Sequence, residues 1–198
     1  MKDLAGKVAV ITGAGSGFGR EFARIGARAG MRLVLADVQQ DALDEAVAEA
    51  LAAGLVSAPL MSVYNVRKHA VVTLSETLFH DLRLAKARMG VSVLCPAYVP
   101  TNIRNSERNR PAELTHDAPP TPSQIAARER SEKAIASDRL GAAEVARMTF
   151  DAVRNDRFYV ITHAKMLASV ELRFQDLHAQ RNPSDPYTFK PEVAVRPR

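Results

Sequence analysis

Apolar residues along this chain follow two patterns, short runs typical of strands and a 3.6-residue repeat typical of helices. Two runs lie near the N-terminus, at residues 7–11 and 31–38. The first is a short β-branched run typical of a parallel strand buried on both faces, and the second is interpreted as another buried strand. Between them a helical repeat runs through Phe18, Phe22, Ile25 and Ala29. The N-terminal part therefore predicts a strand–helix–strand unit.

The rest of the chain continues this alternation. The predicted elements are a helix at 39–53, a helix from Tyr64, a strand ending at Cys95, a helix at 142–153, a strand at 157–162 and a helix at 165–180. The helix from Tyr64 has an apolar stripe whose default location is the core; the alternative is a partly uncovered stripe. Its members are Val71, Leu74, Leu78, Leu82, Ala85 and Met89. Alternating strands and helices predict an α/β fold.

Length and segment composition predict one domain over residues 1–182, because 198 residues with 46% hydrophobic content can bury a single sizeable core. Residues 103–139 are polar and proline-bearing, so we interpret them as a lid-like insertion within that domain. From residue 183 the chain is proline-rich, which predicts an extended C-terminal tail. Tyr187 and Phe189 are its candidate anchors.

A glycine-spaced turn joins the first predicted strand to the helix after it. Four glycines alternate there, Gly13, Gly15, Gly17 and Gly19. Glycine accepts backbone angles that a side chain forbids and lets the main chain approach a pyrophosphate closely. The helix N-terminus adds free N–H groups and a partial positive charge. The pattern predicts a dinucleotide site; the alternative is a glycine-rich surface turn.

A carboxylate stands at the end of the second predicted strand. Asp37 follows Gly19 by 18 residues, close to the spacing of acids that bind an adenosine ribose. A carboxylate there accepts hydrogen bonds from both ribose hydroxyls and repels a 2′-phosphate. Asp37 therefore favours NAD over NADP; the alternative is a helix-capping aspartate.

Tyr64 and Lys68 lie four residues apart on a predicted helix. Positions i and i+4 share one face, so the ammonium can lie beside the phenol. A nearby cation favours the phenolate and lowers a tyrosine pKa from about 10 toward working pH. Such a tyrosine can exchange a proton with an alcohol or carbonyl oxygen. The alternative is a boundary tyrosine beside a solvated lysine.

Three segments together resemble the short-chain dehydrogenase/reductase family. Residues 12–19 resemble its TGxxxGxG cofactor motif, residues 64–68 its YxxxK motif, and residues 96–101 its PGxVxT segment with Ala97 in place of glycine. The resemblance implies a Rossmann-like fold and an NAD-dependent oxidoreductase that transfers hydride to or from an alcohol or ketone. It implies Tyr64 and Lys68 as catalytic residues. The implied cofactor-binding residues are Gly13, Gly15, Ser16, Gly17, Phe18, Gly19, Asp37, Lys68, Pro96, Val99 and Thr101.

The chain departs from the family pattern between Asp37 and Tyr64. Leu51 occupies the position, thirteen residues before the tyrosine, where the family carries a catalytic serine. Only residues 38–63 lie between the two motifs, too few for the family's third to fifth strands. We therefore expect an abbreviated, doubly wound parallel sheet of four main strands in the order 2-1-6-7. The alternative is that the gap stays open, so that two parallel strands expose unpaired edges and apolar faces. The alternative function is a catalytically inactive nucleotide-binding remnant, or a subunit-like partner of a full-length relative.

Charge, hydropathy and histidine spacing argue against several other classes of protein and site. The net charge of +5 is scattered, with no basic stripe interleaved with aromatics, so we expect no nucleic-acid partner. No apolar run is long enough for a membrane span, and no signal peptide precedes the first strand, so we expect a cytoplasmic protein.

The five histidines lack metal-ligand spacing, which predicts no metal site. Cys95 is the only cysteine and is expected to be buried. The expected partners are a small alcohol or carbonyl substrate and another copy of the chain.

Overall fold

The computed structural model describes residues 3–12, 14, 17–36, 54–59, 61–97, 99–100, 119–122, 125 and 140–189. The strands are β1 (Val8–Thr12), β2 (Arg32–Ala36), β3 (Val93–Cys95) and β4 (Tyr159–Ile161). The helices are α1 (Gly17–Arg28), α2 (Ser62–Leu84), α3 (Ala142–Arg154) and α4 (Leu167–His178). A short 3-10 helix, Ala164–Met166, precedes α4. The predicted helix at 39–53 and most of the predicted lid lie outside the described residues.

The N-terminal strand–helix–strand unit is confirmed. β1 and β2 pair in parallel from Val8 opposite Arg32 to Thr12 opposite Ala36, so the two strands end level. α1 packs on one face of this pair at Gly26. A Cβ added at Gly26 would lie 3.0 Å from the Cδ2 atom of Leu33, which shows how closely helix and strand approach.

The opposite face of β1 and β2 is exposed, so the prediction that these strands are buried on both faces is wrong. Val8, Val10 and Val34 share that face and are 57%, 70% and 53% exposed. α1 covers only the other side, and within the described residues no helix packs on the valine face. Apolar runs show that strands can be buried but do not show which elements cover them.

The second pair of strands is better covered. β3 and β4 run parallel, from Val93 opposite Tyr159 to Cys95 opposite Ile161. Val93 and Cys95 are buried in one cluster with Val72 of α2. α3 also contacts β4 and contributes the buried residues Val145, Ala146 and Ala152.

The α/β class with parallel strands is confirmed, whereas the single sheet in the order 2-1-6-7 is wrong. The described strands form two separate pairs, β1–β2 and β3–β4. α1 and α3 pack against each other, with the Phe22 and Phe150 rings edge to face at 6.4 Å. Packed helices lie about 8–10 Å apart, roughly twice the strand spacing of about 4.8 Å. Two packed helices therefore span about two strand positions, and the described β1 and β3 are not hydrogen-bonded to each other.

α2 turns a different face to the core than its apolar stripe predicts. Val71, Leu74 and Leu78 of that stripe are 52%, 70% and 46% exposed. Val72 is buried instead, and the Phe79 ring meets the Phe158 ring edge to face at 5.3 Å. Contacts with β3 and with Phe158 place Val72 and Phe79 on the core side of the helix. The default location of the predicted stripe in the core is therefore wrong, and the alternative of a partly uncovered stripe is confirmed.

Candidate functional site

The glycine turn lies where β1 passes into α1. β1 ends at Thr12 and α1 begins at Gly17, whose φ of +50° is in the left-handed region that favours glycine. The first turn of α1 carries no acidic side chain, so the positive end of the helix dipole is not neutralised there. Gly19 is buried, consistent with close packing of the helix start. This arrangement fits an anionic phosphate group.

The structure describes the side chain of only some of the other residues that the sequence predicts to bind the cofactor. Phe18 is half-buried and its ring stacks on Phe22 with centroids 6.4 Å apart. Its contact is therefore with its own helix, and a contact with cofactor stays a prediction. The other residues, Gly13, Gly15, Ser16, Asp37 and Thr101, lie outside the described residues.

Tyr64 and Lys68 lie on the first two turns of α2, and the structure brings them together. The Lys68 Nζ atom is 5.1 Å from the centroid of the Tyr64 ring. This is a cation–π distance, at which an ammonium is attracted to the ring face. Both side chains are half-buried. Their partial burial reduces the screening of the lysine charge by water.

The loop before α2 contacts the backbone of the Lys68 turn. Gly54 has a φ of +89°, and a Cβ added there would lie 2.5 Å from the carbonyl oxygen of Lys68. Only glycine fits this position. The Asn65 side chain donates a hydrogen bond from Nδ2 to the carbonyl oxygen of Ala58, at 2.8 Å. In the sequence, Gly54 only follows the predicted helix at 39–53 and Asn65 has no recognisable role, because neither contact leaves a periodic signal.

The segment after β3 lies beside the start of α2. Ala97 is buried in the same cluster as Met61, the residue before α2, and Tyr64 packs against that cluster. The Ala97 N–H donates to Thr162 Oγ1 at 3.2 Å, which ties the segment to the end of β4. Pro96 is half-buried and Val99 buried, so neither is a freely accessible surface residue. The structure thus brings the Tyr64–Lys68 pair and the segment after β3 together.

Cys95 is not a candidate nucleophile. Its side chain is 1% exposed, and burial, with a smaller contribution from the charge of Glu76, raises its thiol pKa to about 11. A thiol with that pKa stays protonated at neutral pH. The expectation that Cys95 is buried is confirmed.

Within the described part of the chain, no group of three or more histidine, cysteine or acidic side chains is placed to hold a metal ion. None of the helices in the same residues has the length and apolar character needed to cross a membrane.

A protein-family model matches the N-terminal part of the chain. Residues 7–54 match the model described as short chain dehydrogenase. The matched stretch includes β1, the glycine turn, α1 and β2. It ends at Gly54, before the Tyr64–Lys68 pair.

Two individual proteins are similar in sequence. A short chain dehydrogenase/reductase from Burkholderia phymatum, solved in complex with NAD, is 37% identical, with a TM-score of 0.82 over 94% of this chain and 99% of that one. A CLA biosynthesis dehydrogenase/reductase from Lactiplantibacillus plantarum is 29% identical over 122 residues, which are 61% of this chain. The chain spans 43% of the length of that curated relative.

A more distant structure supports the fold alone. A putative short-chain dehydrogenase from Novosphingobium aromaticivorans has a TM-score of 0.60 at 16% identity, over 96% of this chain and 93% of that one. All of these matches are dehydrogenases, so they do not favour the alternative of an inactive remnant. Given the glycine turn, the parallel strands and a 37% identical relative matched over nearly its whole length, the chain belongs to the short-chain dehydrogenase/reductase family of oxidoreductases.

Proposed function

We propose that this chain oxidises an alcohol, or reduces the corresponding carbonyl compound, with a nicotinamide dinucleotide as the redox partner. The observation that carries the proposal is the Tyr64–Lys68 pair, with the lysine Nζ 5.1 Å from the tyrosine ring centroid. The family resemblance and the match to dehydrogenases support the same chemistry. A nicotinamide ring, when bound, supplies or accepts the hydride.

The role proposed for the pair is proton transfer. In the direction of oxidation, the Tyr64 phenolate oxygen takes the proton of the substrate hydroxyl; in reduction, the phenol gives it back. The Lys68 ammonium stabilises the phenolate, so the tyrosine can change protonation state near working pH. In the family, this lysine also binds the nicotinamide ribose, and we assign Lys68 the same contact. Leu51 offers no hydroxyl at the position of the family serine, so Tyr64 carries the proton transfer in this proposal.

The cofactor is proposed to be NAD. The helix start at Gly17 fits its diphosphate, and Asp37 follows the last residue of β2 in sequence, where a carboxylate would accept the ribose hydroxyls. The Burkholderia phymatum relative was solved with NAD, which supports a nicotinamide cofactor. The preference for NAD over NADP rests on Asp37.

Tyr64→Phe tests the proton transfer. We expect kcat to fall at least about 100-fold, because a general acid–base group contributes about 10²–10⁴-fold. The NADH dissociation constant, measured by fluorescence titration, should stay unchanged. The assay is NADH formation at 340 nm with a panel of secondary alcohols, and Tyr159→Phe, an exposed tyrosine on β4, is the matched control. Equal rates for wild type and Tyr64→Phe, or no NADH formation by wild type with any alcohol, would contradict the proposal.

Asp37→Ser tests the cofactor preference. A hydrogen bond to a charged group contributes about 1.5–3 kcal/mol, or roughly 10–100-fold in affinity. We expect the ratio of NADPH to NADH dissociation constants to fall by about that factor, mainly because NADH binds more weakly. An unchanged ratio would contradict the assignment of Asp37 to the ribose. Cytoplasmic location and self-association stay predictions.

A further inference from the structure

The segment after α4, residues 181–189, folds back along α4 toward the start of α2. We call it the return segment. Buried Asp176 of α4 accepts three hydrogen bonds from it: from Arg181 Nε at 2.6 Å, the Ser184 N–H at 2.7 Å and Ser184 Oγ at 3.2 Å. Two turns earlier on α4, Ser169 Oγ donates to the Pro186 carbonyl oxygen at 2.8 Å. Contacts at both ends of α4 therefore fix the path of the return segment.

Tyr187 is the residue of this segment that enters the core. It is 1% exposed and is the largest fully buried side chain among the described residues. Its buried neighbours come from the loop before α2, the segment after β3 and the 3-10 helix: Val56, Ala58, Met61, Ala97 and Met166. Tyr64 packs against this Tyr187 cluster from the first turn of α2. The candidate acid–base residue thus rests on a core that the return segment completes.

The start of α2 depends on this burial because it has no side-chain cap. The N-cap residue is Met61, which makes no capping hydrogen bond and is 6% exposed. The loop before it is held from α4, where Arg173 Nη1 donates to the Leu55 carbonyl oxygen at 3.4 Å. An uncapped helix start fixed by apolar contacts moves when those contacts are removed.

We propose that Tyr187 is a positioning residue for Tyr64. This role rests on the function proposed above. The ring of Tyr187 fixes the first turn of α2, and with it the direction of the Tyr64 phenol. Displacement of a reacting group by about 1 Å can cost about 100-fold in rate. Phe189, two residues away, is 54% exposed and has no such role.

Hydrogen–deuterium exchange on the full chain tests the positioning without any need for activity. In Tyr187→Ser we expect exchange at residues 55–65 to rise at least about tenfold, while residues 3–36 keep their wild-type rates. Tyr187→Phe should restore protection, because it keeps the ring, and Phe189→Ser should match wild type. Ser169→Ala, which removes only the hydrogen bond to Pro186, should give a smaller rise in exchange at the same residues. It replaces Tyr187→Ser as the test if that variant unfolds. Unchanged exchange at 55–65 in both Tyr187→Ser and Ser169→Ala would overturn the inference.

Kinetics separate positioning from general stability. With NAD and 1-phenylethanol as the probe pair, we expect Tyr187→Ser to lower kcat about 10–100-fold and to leave the KM for NAD within about twofold. Tyr187→Phe should recover kcat. Equal losses in Tyr187→Ser and Tyr187→Phe, or a loss confined to the KM for NAD, would overturn positioning by the ring. If wild type turns over neither 1-phenylethanol nor any other alcohol of the panel, the proposed function has failed, and the exchange experiment alone decides the role of Tyr187.

Discussion

The two strand pairs of this protein are both parallel, but they differ in how many of their faces are covered by helices. β1 and β2 have α1 on one face and exposed valines on the other, and the buried hydrophobic side chains described for residues 3–36 are Leu4 and Ile11. β3 and β4 contact both α2 and α3, and their residues Val93, Cys95 and Val160 are 5%, 1% and 2% exposed. The difference shows that the core of the described protein lies mainly with the second pair.

The comparison separates the proposed cofactor site from the proposed acid–base pair. The glycine turn belongs to the thinly covered N-terminal region, residues 3–36, whereas Tyr64 and Lys68 belong to the well-packed C-terminal region, residues 54–97 and 140–189. The α1–α3 contact, with Phe22 against Phe150, joins the two regions. Substitutions can therefore be chosen that perturb one region and leave the other unchanged.

Gly54→Ala should have the largest effect, through the C-terminal region. The positive φ of +89° costs alanine about 1–2 kcal/mol, and the added Cβ would lie 2.5 Å from the Lys68 carbonyl oxygen. Overpacking adds about 1–3 kcal/mol, so we expect a total loss of about 3 kcal/mol in the free energy of unfolding. Urea unfolding followed by circular dichroism measures it.

A second glycine supplies the control. At Gly90 an added Cβ would meet its nearest atom, Asp156 Oδ1, at an ordinary 3.6 Å, and Gly90 has no positive φ. Gly90→Ala should change the free energy of unfolding by less than about 0.5 kcal/mol. Similar losses in the two variants would contradict the contact assigned to Gly54.

Val93→Ala and Val10→Ala compare the two strand pairs directly. Val93 is 5% exposed and Val10 is 70% exposed, although both are valines in parallel strands. Removing the buried side chain should cost about 2 kcal/mol, because transfer and cavity terms both contribute. Removing the exposed one should cost less than about 0.5 kcal/mol. Equal costs in urea unfolding would show that the valine face of β1 is covered in solution.

Much of the fold could be predicted from sequence because local patterns specify local structure. The β-branched runs predict β1 and β2, and the apolar repeat predicts α3 at 142–153 within one residue of its observed end. The Tyr64–Lys68 pair follows from helical geometry alone, since i and i+4 share a face. These predictions needed no knowledge of distant contacts.

The remaining features depend on contacts between segments far apart in sequence. Val10 has the pattern of a buried residue, but its exposure depends on whether another element covers the strand. Leu74 and Val72 both fit an apolar helical repeat, and only the packing against β3 shows that Val72 faces the core. Tyr187 is an expected anchor, yet its location beside Tyr64 depends on hydrogen bonds to α4 that no periodicity reveals.

Asp176→Asn should have the smallest effect, present at pH 7, shrinking as the pH falls and limited to the C-terminal region. Hydrogen bonds from the Ser184 N–H and from Arg181 hold the pKa of Asp176 below its usual 3.8. A carboxyl whose folded pKa is lowered adds stability above its unfolded pKa and loses it as the pH falls through the folded pKa. The wild type should therefore lose stability more steeply than Asp176→Asn below about pH 4, while being the more stable of the two at pH 7.

The measurement is thermal unfolding between pH 2.5 and pH 7, with hydrogen–deuterium exchange to locate the change. Exchange at residues 181–189 should rise on acidification in wild type and already be raised at pH 7 in Asp176→Asn, because the variant lacks the charge that holds Arg181 and Ser184. Asp81→Asn, at an exposed position on α2, should reproduce the wild-type pH dependence. Parallel stability curves for wild type and Asp176→Asn would show that this carboxylate does not hold the return segment. The buried position of Tyr187 would then depend on apolar packing and the Ser169 hydrogen bond, and the acid sensitivity of the C-terminal region would have another source.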